Sequence, residues 1–355
     1  MSEADATPKV TFFTAAGQPW GAEHSLAILV QALRGSIAPT IVCSSTETAE
    51  FFSMHTGAQV ICLNESENRL KVLARFMRTA FSHRKSTALV IFSLQLMPLI
   101  PLIRVLTMHT PRLVVDLHDV PKGRFDRWAS RFCSRFAHVA IAISNYVANA
   151  FPNQGRTQVV PRPFLMPHSA PVFNPLGDKL SIGIVGRIDP EKRIETAIAA
   201  ISKCPEQVSL KVYGASLVAD AGYRARLVST AKRAVDSRVE FMGVRKPDDI
   251  YGAIDAIIVC NENEPSGRTV GEAMMAGLLP VVPDSGGSSE FLPPSMDWLK
   301  YEALNPESAA GVIRAILKLP KDEFRTWREL AYEWVCATRN PTAIGEAYRQ
   351  AVLGM

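Results

Sequence analysis

Short apolar runs alternate with longer amphipathic stretches along the first half of the chain. Runs rich in Val, Ile and Phe predict buried strands, and apolar residues that recur every three or four positions predict helices between them. The predicted strands of this half are "VTFFTAA", "PTIVCSS", "ALVIFSL", "RLVVDLHD" and "VAIAIS". Continuous apolar strands separated by helices are typical of parallel sheets with crossover helices. The first half is therefore predicted to be a doubly wound α/β domain.

A proline-rich stretch without periodicity, "VVPRPFLMPHSAPVFNPLGD" (159–178), predicts a linker or domain boundary. The alternation then starts again, and its predicted strands are "LSIGIVGR", "SLKVYGAS", "RVEFMG", "AIIVCNENE" and "LPVVPDSGG". A length of 355 residues suits two domains of about 150 to 200 residues each. Ligands of such open sheets bind at the carboxyl ends of the strands, so the loops that follow these runs are the places to look for chemistry.

Composition excludes several classes of protein. The six cysteines are far apart and form no C-x-x-C pair, which predicts reduced thiols in a cytoplasmic protein. The N-terminal residues include acidic side chains and lack the basic region of a signal peptide. The most apolar segment, 88–106, is interrupted by Ser93, Gln95, Pro98 and Pro101. It therefore predicts a buried strand and a short packed helix rather than a membrane span.

The loop "IVGRIDPEKRIETAI" follows the first predicted strand of the second half. Asp189 and Pro190 predict a helix start, with an N-cap carboxylate and a proline at the first helical position. Arg187 and Lys192 flank that start. Amide groups and two cations at one helix terminus are suited to an anion, although a capped helix with solvated cations would have the same sequence.

The stretch "NENEPSGRTVGEAMMAG" (261–277) holds Glu264 and Glu272 with seven residues between them. We expect Glu264 in a loop, Gly267 in a turn that lets a ligand approach the backbone, and Glu272 about one turn into a helix that ends near Gly277. One carboxylate on each side of a helix start suits a nucleotide sugar, with hydroxyls at both ends and a diphosphate between. The alternative is that acidic residues merely favour the helix dipole.

Two further loops are candidates in the first half. Gly17 and Gly21 lie in "FTAAGQPWGAEHS", which is not the G-x-G-x-x-G fingerprint of dinucleotide binding. His118 and Asp119 come directly after a predicted strand, so His118 is either structural or part of a site.

Taken together, these stretches resemble the retaining nucleotide-sugar glycosyltransferases of family 4. "IVGRIDPEKRIETAI", "VYGAS", "VEFMG", "NENEPSGRTVGEAMMAG" and "LPVVPDSGGSSEF" look like the donor-domain motifs, and "WGAEHSL", "LHD" and "IAISNYVANAF" look like acceptor-domain motifs. The resemblance implies an α/β GT-B fold, with two Rossmann-like doubly wound domains facing a central cleft. Its expected parts are an acceptor-binding domain at 1–165, a linker at 166–178, a donor-binding domain at 179–338 and a helix at 339–355 that packs back toward the N-terminal domain.

The resemblance also implies roles for individual residues. Arg187 and Lys192 would hold the donor diphosphate, Glu272 the ribose, Glu264 the transferred sugar, and His118 would contact that sugar near the reacting face. The catalytic set would be Glu264, His118, Arg187 and Lys192. The donor-binding set would be Gly21, Gly186, Arg187, Lys192, Gly214, Val244, Arg245, Glu264, Ser266, Gly267, Arg268, Thr269 and Glu272. Ser266 and Trp20 stand where the family commonly has an aromatic residue and a glycine.

No D-x-D pair occurs in the sequence, so the usual carboxylate clamp for a metal-bound diphosphate is missing. We therefore expect no metal and no cofactor, with a UDP- or GDP-linked sugar as co-substrate and cations stabilising the leaving group. The expected reaction is hexosyl transfer with retention to a sugar or lipid-linked acceptor, in polysaccharide, glycolipid or glycoconjugate biosynthesis. The alternatives are a GT-B nucleotide-sugar epimerase and a non-catalytic nucleotide-sugar-binding protein.

Positive charge is concentrated in the first half, where residues 1–172 hold 17 Lys and Arg against 10 Asp and Glu, while the rest holds 22 against 24. Two predicted helices there are basic and amphipathic. In the first, 69–85, we expect a basic face of Lys71, Arg75, Arg78 and Lys85. Its apolar side would consist of Leu70, Leu73, Met77, Ala80 and Phe81. In the second, 123–136, the basic stripe is Arg124, Arg127, Arg131 and Arg135, beside Trp128 and Phe132. Such helices either pack on the core with solvated cations or rest on an anionic membrane. The charge distribution favours peripheral contact with the inner face of the cell membrane through the N-terminal domain, and nucleic acid is not an expected partner.

Overall fold

The computed structural model describes residues 7–63, 69–108, 110–121, 123–151, 156–216 and 221–355. Two compact units make up the chain: the first contains residues 1–165 and 339–355, and the second contains residues 166–338. The first six residues, which belong to the segment compared with signal peptides above, lie outside the described part.

A seven-stranded parallel sheet in the order β3-β2-β1-β4-β5-β6-β7 forms the centre of the first unit. Its strands are β1 (Lys9–Thr14), β2 (Ala38–Cys43), β3 (Gln59–Cys62), β4 (Ala88–Ile91), β5 (Arg112–Leu117), β6 (Val139–Ala142) and β7 (Thr157–Val159). Neighbouring side chains of a strand point to opposite faces, so Phe12 and Phe13 enter two different cores. This two-sided burial explains why the strands read as continuous apolar runs.

Helices cover both faces of this sheet. They are α1 (Gly21–Ala32), α2 (Thr46–Thr56), α3 (Arg69–Ser82), α4 (Ile100–Leu106), α5 (Arg124–Ser134), α6 (Asn145–Ala150) and, from the end of the chain, α13 (Pro341–Leu353). Phe12 packs with residues of α1, α2 and α13, whereas Phe13 packs with residues of α3, α4, α5 and α6. Helix α13 is tied to the sheet by Tyr348, whose hydroxyl donates to Asp116 at 2.6 Å.

The second unit has a six-stranded parallel sheet in the order β10-β9-β8-β11-β12-β13. Its strands are β8 (Leu180–Val185), β9 (Val208–Tyr213), β10 (Val239–Gly243), β11 (Ala256–Ile258), β12 (Leu279–Pro283) and β13 (Lys300–Tyr301). Its helices are α7 (Ile194–Ser202), α8 (Ala221–Ala234), α9 (Pro247–Tyr251), α10 (Arg268–Met275), α11 (Pro306–Leu317) and α12 (Lys321–Thr338). Both sheets are doubly wound, so the α/β prediction is confirmed for each unit.

Segment 88–106 forms the buried strand β4, a 3-10 turn at Leu94–Leu99 and helix α4, as its interrupted hydropathy predicted. Within the described ranges, no helix has both the length and the hydropathy needed to cross a bilayer. All six cysteines are free thiols.

Helix α3 corrects one expectation about its apolar side. Leu70 and Phe81 are 74% and 43% exposed, whereas Phe76, which the expected set omitted, is buried. At about 100° per residue the packed stripe is centred near Phe76 and Ala80, which leaves Leu70 and Phe81 at its edges. The helix also ends at Ser82 rather than continuing to residue 85.

Candidate functional site

An ion pair joins two of the predicted site residues at the carboxyl end of the second sheet. Lys192 Nζ donates to Glu264 Oε2 at 2.9 Å, and Asn261 Nδ2 donates to the same oxygen at 3.2 Å. Lys192 follows β8 and Glu264 follows β11, two strands that are neighbours in the sheet. Lys192, Glu264, Gly267 and Thr269 line one small cavity there. An ammonium group has three N–H donors, so the bond to Glu264 leaves two for a ligand.

The turn before α7 differs from the expected helix start. Asp189 is an N-cap, but it caps a 3-10 turn at Pro190–Lys192, and α7 begins only at Ile194. The Asp189 carboxylate accepts from the amides of Glu191 and Lys192, at 3.0 and 3.2 Å. Those amides are therefore occupied by the protein's own carboxylate. Positive charge for an anion comes here from side chains, Lys192 and the half-exposed Arg187, whose Nη2 is 3.4 Å from Asp189 Oδ2.

Helix α10 begins directly after Gly267, which has a left-handed backbone (φ 65°). A Cβ at this position would lie 2.7 Å from Ser288 Cα, so only glycine fits without a shift of the neighbouring loop. Ser266 precedes the glycine in the turn, and Arg268 and Thr269 form the first turn of the helix. The helix ends before Gly277, as predicted.

Glu272 lies on α10 and has partners of its own. Its Oε1 accepts from Arg268 Nε at 2.7 Å, and its Oε2 accepts from Tyr251 Oη at 3.1 Å. Burial and the adjacent Glu272 carboxylate raise the pKa of Tyr251, so its hydroxyl remains a donor at neutral pH. Tyr251 was not predicted, because nothing in the residues around "PDDIY" separates a site tyrosine from a core one.

Three glycines stand in a row at the ends of adjacent strands β8, β9 and β10. Gly186, Gly214 and Gly243 all have positive φ, at 147°, 139° and 68°. The Gly214 amide donates to the Gly243 carbonyl at 2.9 Å, and a Cβ on Gly214 would lie 1.8 Å from the Gly186 carbonyl oxygen. Backbone atoms therefore pack closely at this part of the carboxyl edge. Val244 and Arg245, expected to meet the base, follow Gly243 and are exposed.

Buried hydroxyls without a partner lie near the same edge. Among the described residues, Tyr213 Oη, Ser216 Oγ and Ser288 Oγ are buried and have no hydrogen-bond partner in the protein. Tyr213 ends β9, Ser216 is two residues beyond Gly214, and Ser288 contacts the turn at Gly267. Buried polar atoms normally have partners, so this concentration is what a site for a polar ligand provides. The strand patterns gave no signal for these hydroxyls, since a serine after a glycine is also common in plain turns.

His118 belongs to the first unit and follows β5. Its ring stacks on Phe92 with centroids 4.4 Å apart, and Nδ1 is buried without a hydrogen-bond partner. Burial lowers the pKa of His118 to about 4; Arg162 acts in the same direction and Asp116 opposes it. The imidazole is therefore neutral near pH 7. Asp116 itself is buried in an ion pair with Arg162.

Gly21 is the first residue of α1 in the first unit and is exposed. The preceding Trp20 is also exposed, and its amide donates to the buried Glu23 at 3.2 Å. Glu23 also accepts from the Thr14 hydroxyl at 3.3 Å. Burial raises the pKa of Glu23, while these hydrogen bonds act against that rise. The structure thus places Gly21 and His118 at strand-to-helix loops of the first unit, and the other predicted residues in the second.

Most of the second unit matches the model of one protein family. Residues 170–334 match the family model described as Glycosyl transferases group 1. That range includes every predicted site residue except Gly21 and His118.

Sequence relatives match over part of their length. A GDP-mannose-dependent alpha-mannosyltransferase of Mycobacterium tuberculosis (strain CDC 1551 / Oshkosh) is 30% identical over 142 residues, which are 37% of this chain and 34% of that protein. A glycogen synthase of Deinococcus deserti is 27% identical over 179 residues, 49% of this chain and 39% of that protein. The chain thus spans little more than a third of these relatives.

Solved structures match over nearly the whole chain. The crystal structure of Anabaena Alr3699/HepE in complex with UDP and glucose has a TM-score of 0.82 at 18% identity, and covers 98% of this chain and 100% of that one. At that identity the likeness concerns the fold. The chain accordingly has the GT-B fold of glycosyltransferases, and most of its second unit matches the model of the glycosyl transferases group 1 family.

Proposed function

We propose that this chain is a retaining glycosyltransferase of family 4 that transfers a hexosyl unit from a nucleoside-diphosphate sugar to an acceptor hydroxyl. The observation that carries the proposal is the Lys192–Glu264 pair, held at 2.9 Å over a small cavity inside the segment that matches the family. The glycine row and the unpartnered hydroxyls of Tyr213, Ser216 and Ser288 support a polar ligand along the carboxyl edge.

In the proposed reaction the leaving group is a nucleoside diphosphate. The bond between the sugar's anomeric carbon and the phosphate oxygen breaks, and its electron pair stays on that oxygen. Lys192 and Arg187 stabilise the charge that develops there, which is the task of preorganised cations in a site without a metal. The acceptor hydroxyl attacks from the face that the phosphate leaves, its proton passes to the phosphate oxygen, and the anomeric configuration is retained.

The two glutamates have separate tasks in this scheme. Glu264 is assigned to the sugar, and Lys192 and Asn261 hold its carboxylate in the loop before α10. Glu272 accepts from ribose hydroxyls, and Tyr251 with Arg268 fixes its orientation. No group of three or more metal-ligating His, Cys, Asp or Glu side chains was found among the described residues. Metal-independent transfer is part of the proposal.

The donor is proposed to carry UDP or GDP. One sequence relative is named for its dependence on GDP-mannose, and the Anabaena structure contains UDP and glucose. The acceptor is proposed to be a sugar or a lipid-linked group, reached at the cytoplasmic face of a membrane through the basic helices of the first unit.

A ligand that binds the native state raises the melting temperature. Thermal melting with UDP, GDP and ADP, each with and without EDTA, tests the donor assignment. UDP or GDP should raise the melting temperature of the protein with EDTA present. ADP is the control for recognition of the nucleotide base. Stabilisation that disappears with EDTA and returns with magnesium would overturn the metal-free proposal. Donor turnover without any need for an acceptor would favour the epimerase instead.

A further inference from the structure

The first unit contains an apolar cavity that the donor chemistry does not use. Its volume is about 800 Å³, within the range of pockets that enclose small ligands. Val72, Leu73, Leu94, Leu96, Pro121 and Phe125 contribute to its walls, and Asp126 is the only charged residue among its described lining residues. Ser44, Gln95 and Ser130 are the uncharged polar residues of the lining, and apolar side chains supply most of the wall.

The cavity lies where ligands of doubly wound sheets bind. Ala15 and Ser44, which also line it, come directly after β1 and β2, while Leu94 follows β4. β1 and β4 are neighbours in the middle of the sheet, and the order reverses between them. The crevice at such a reversal is the usual ligand site of this architecture.

One wall of the cavity continues into an exposed row of aromatic rings on α5, which we call the aromatic ladder. Its rings are Phe125, Trp128 and Phe132, which are 73%, 62% and 44% exposed. Ring centroids are 6.0 Å apart from Phe125 to Trp128 and 5.8 Å apart from Trp128 to Phe132. Large aromatic residues are costly to leave in water side by side, and contiguous exposed apolar surface marks an interaction site.

Basic side chains surround the ladder. Arg124, Arg127, Arg131 and Arg135 are exposed on or next to α5, and Lys71, Arg75 and Arg78 are exposed on α3. Residues of α3 and α5 line the cavity together. Exposed aromatic rings among arginines match the boundary of a bilayer, where rings enter the acyl region and cations meet anionic headgroups.

We propose that the cavity binds the hydrocarbon chain of an anionic amphiphilic lipid that is the acceptor, while the aromatic ladder rests in the headgroup region of the membrane. This inference rests on the proposed function and specifies its acceptor as lipid-linked. The chain enters past Phe125, which belongs both to the ladder and to the cavity wall. The headgroup lies outside the mouth, because Asp126 would repel an anion inside it.

Binding of monomeric dodecyl phosphate, measured by titration calorimetry, tests the cavity. Ala129→Phe fills it, since Ala129 lines the cavity on α5. Ala74→Phe is the matched control, because Ala74 is exposed on α3 and is not among the lining residues. We expect Ala129→Phe to weaken binding by about tenfold or more, because several methylenes of the ligand can then no longer be buried. Ala74→Phe should stay within about twofold of the wild type, the scale of an ordinary surface substitution.

Phe125→Ser keeps the test valid if Ala129→Phe does not fold, because Phe125 is mostly exposed and its removal should still weaken binding. Dodecyltrimethylammonium should bind more weakly than dodecyl phosphate. Equal binding of the two amphiphiles, or an unchanged dissociation constant in both cavity variants, would overturn the inference.

Two further measurements separate this inference from the proposed function. Sedimentation with vesicles containing anionic lipid should show binding that Arg75→Ala/Arg78→Ala and high salt reduce. Vesicle binding without any binding of dodecyl phosphate would mean that α5 is only a surface anchor, and would overturn the cavity assignment. If dodecyl phosphate bound as expected but no nucleoside diphosphate did, the lipid cavity would be supported and the transferase role would fail.

Discussion

Lys192 Nζ and Glu264 Oε2 lie 2.9 Å apart although 72 positions separate the two residues in the chain. Both side chains are partly buried, so the pair is shielded from solvent more than a surface ion pair is. Removing either partner leaves the other charge poorly compensated. Variants at these positions should therefore be interpreted together with their effect on stability.

Lys192→Ala should lower turnover by about 100-fold or more, the scale of losing one group that stabilises transition-state charge. Arg193→Ala is the matched control, because Arg193 pairs with Glu262 at 3.3 Å next to the same loops and is more exposed. A surface ion pair contributes about 1 kcal/mol or less, so the control should lose no more than about fivefold. Steady-state rates of nucleoside diphosphate release measure both. Similar losses of turnover in the two variants would mean that positive charge near the site, and not Lys192 in particular, supports turnover.

Glu272→Ala should mainly weaken binding of the nucleoside diphosphate, because ribose contacts are made in the ground state and the transition state alike. Tyr251→Phe should produce a smaller loss in the same direction, since it removes one of the hydrogen bonds that orient Glu272. Glu264→Ala should lower turnover and leave nucleotide affinity nearly unchanged. Calorimetric dissociation constants and single-turnover rates separate these effects. Loss of nucleotide affinity alone in both glutamate variants would contradict the assignment of Glu264 to the sugar.

Much of the fold could be predicted from the sequence because both sheets are buried on two faces. Continuous apolar strands such as β4 and the glycines on either side of α10 produced local signals that the tertiary structure does not override. The helix start predicted at Asp189 and Pro190 is a 3-10 turn instead, for a physical reason. A short turn and a helix start share the same Asp-Pro signal, and in the folded chain Asp189 already accepts from the amides of Glu191 and Lys192.

Partners that are distant in sequence could not be predicted in the same way. The hydrogen bond from Tyr251 to Glu272 and the unpartnered hydroxyl of Ser288 depend on how loops from different strands meet. The row formed by Gly186, Gly214 and Gly243 depends on strand order, because the three glycines become neighbours only when β8, β9 and β10 pair. Local patterns carry no information on such pairings.

Gly214→Ala should destabilise the second unit and impair nucleotide binding. The new Cβ would meet the Gly186 carbonyl oxygen, and the residue has φ 139°. The free energy of unfolding should fall by more than about 2 kcal/mol, because overpacking is combined with backbone strain. Gly311→Ala is the contrasting variant, because Gly311 lies inside α11 with open space around its Cα. It should stabilise the protein by about 0.5–1 kcal/mol. Denaturant unfolding measures both, and a neutral Gly214→Ala would contradict the close approach.

Stability should fall between about pH 6.5 and pH 4 in part because of His118. The pKa of His118 is lowered in the folded state to about 4, so across this range the unfolded chain binds a proton that the folded chain does not. The free energy of unfolding therefore decreases as pH falls, and the contribution of His118 is fully present above pH 6.5. His83, whose pKa is lowered by burial, acts in the same direction.

His118→Asn should flatten this dependence, and His118→Asn with His83→Gln should flatten it further. His168→Asn, at an exposed position, controls for the substitution itself. Free energies of unfolding at half-unit pH steps provide the measurement. An identical slope in the wild type and in His118→Asn would show that the ring is protonated normally in the folded protein.

The central claim is tested most directly by a transfer reaction that is run in EDTA and followed by NMR. The protein is mixed with a membrane lipid extract and with UDP-glucose or GDP-mannose whose sugar is labelled with ¹³C. The account predicts that nucleoside diphosphate is released only when the extract is present. The labelled sugar should appear in the lipid fraction, with the same anomeric configuration as in the donor. Glu264→Ala should lose this transfer while it still binds the nucleotide. Release of nucleoside diphosphate that does not depend on an acceptor, an epimerised sugar, or binding of the donor with no turnover would contradict it.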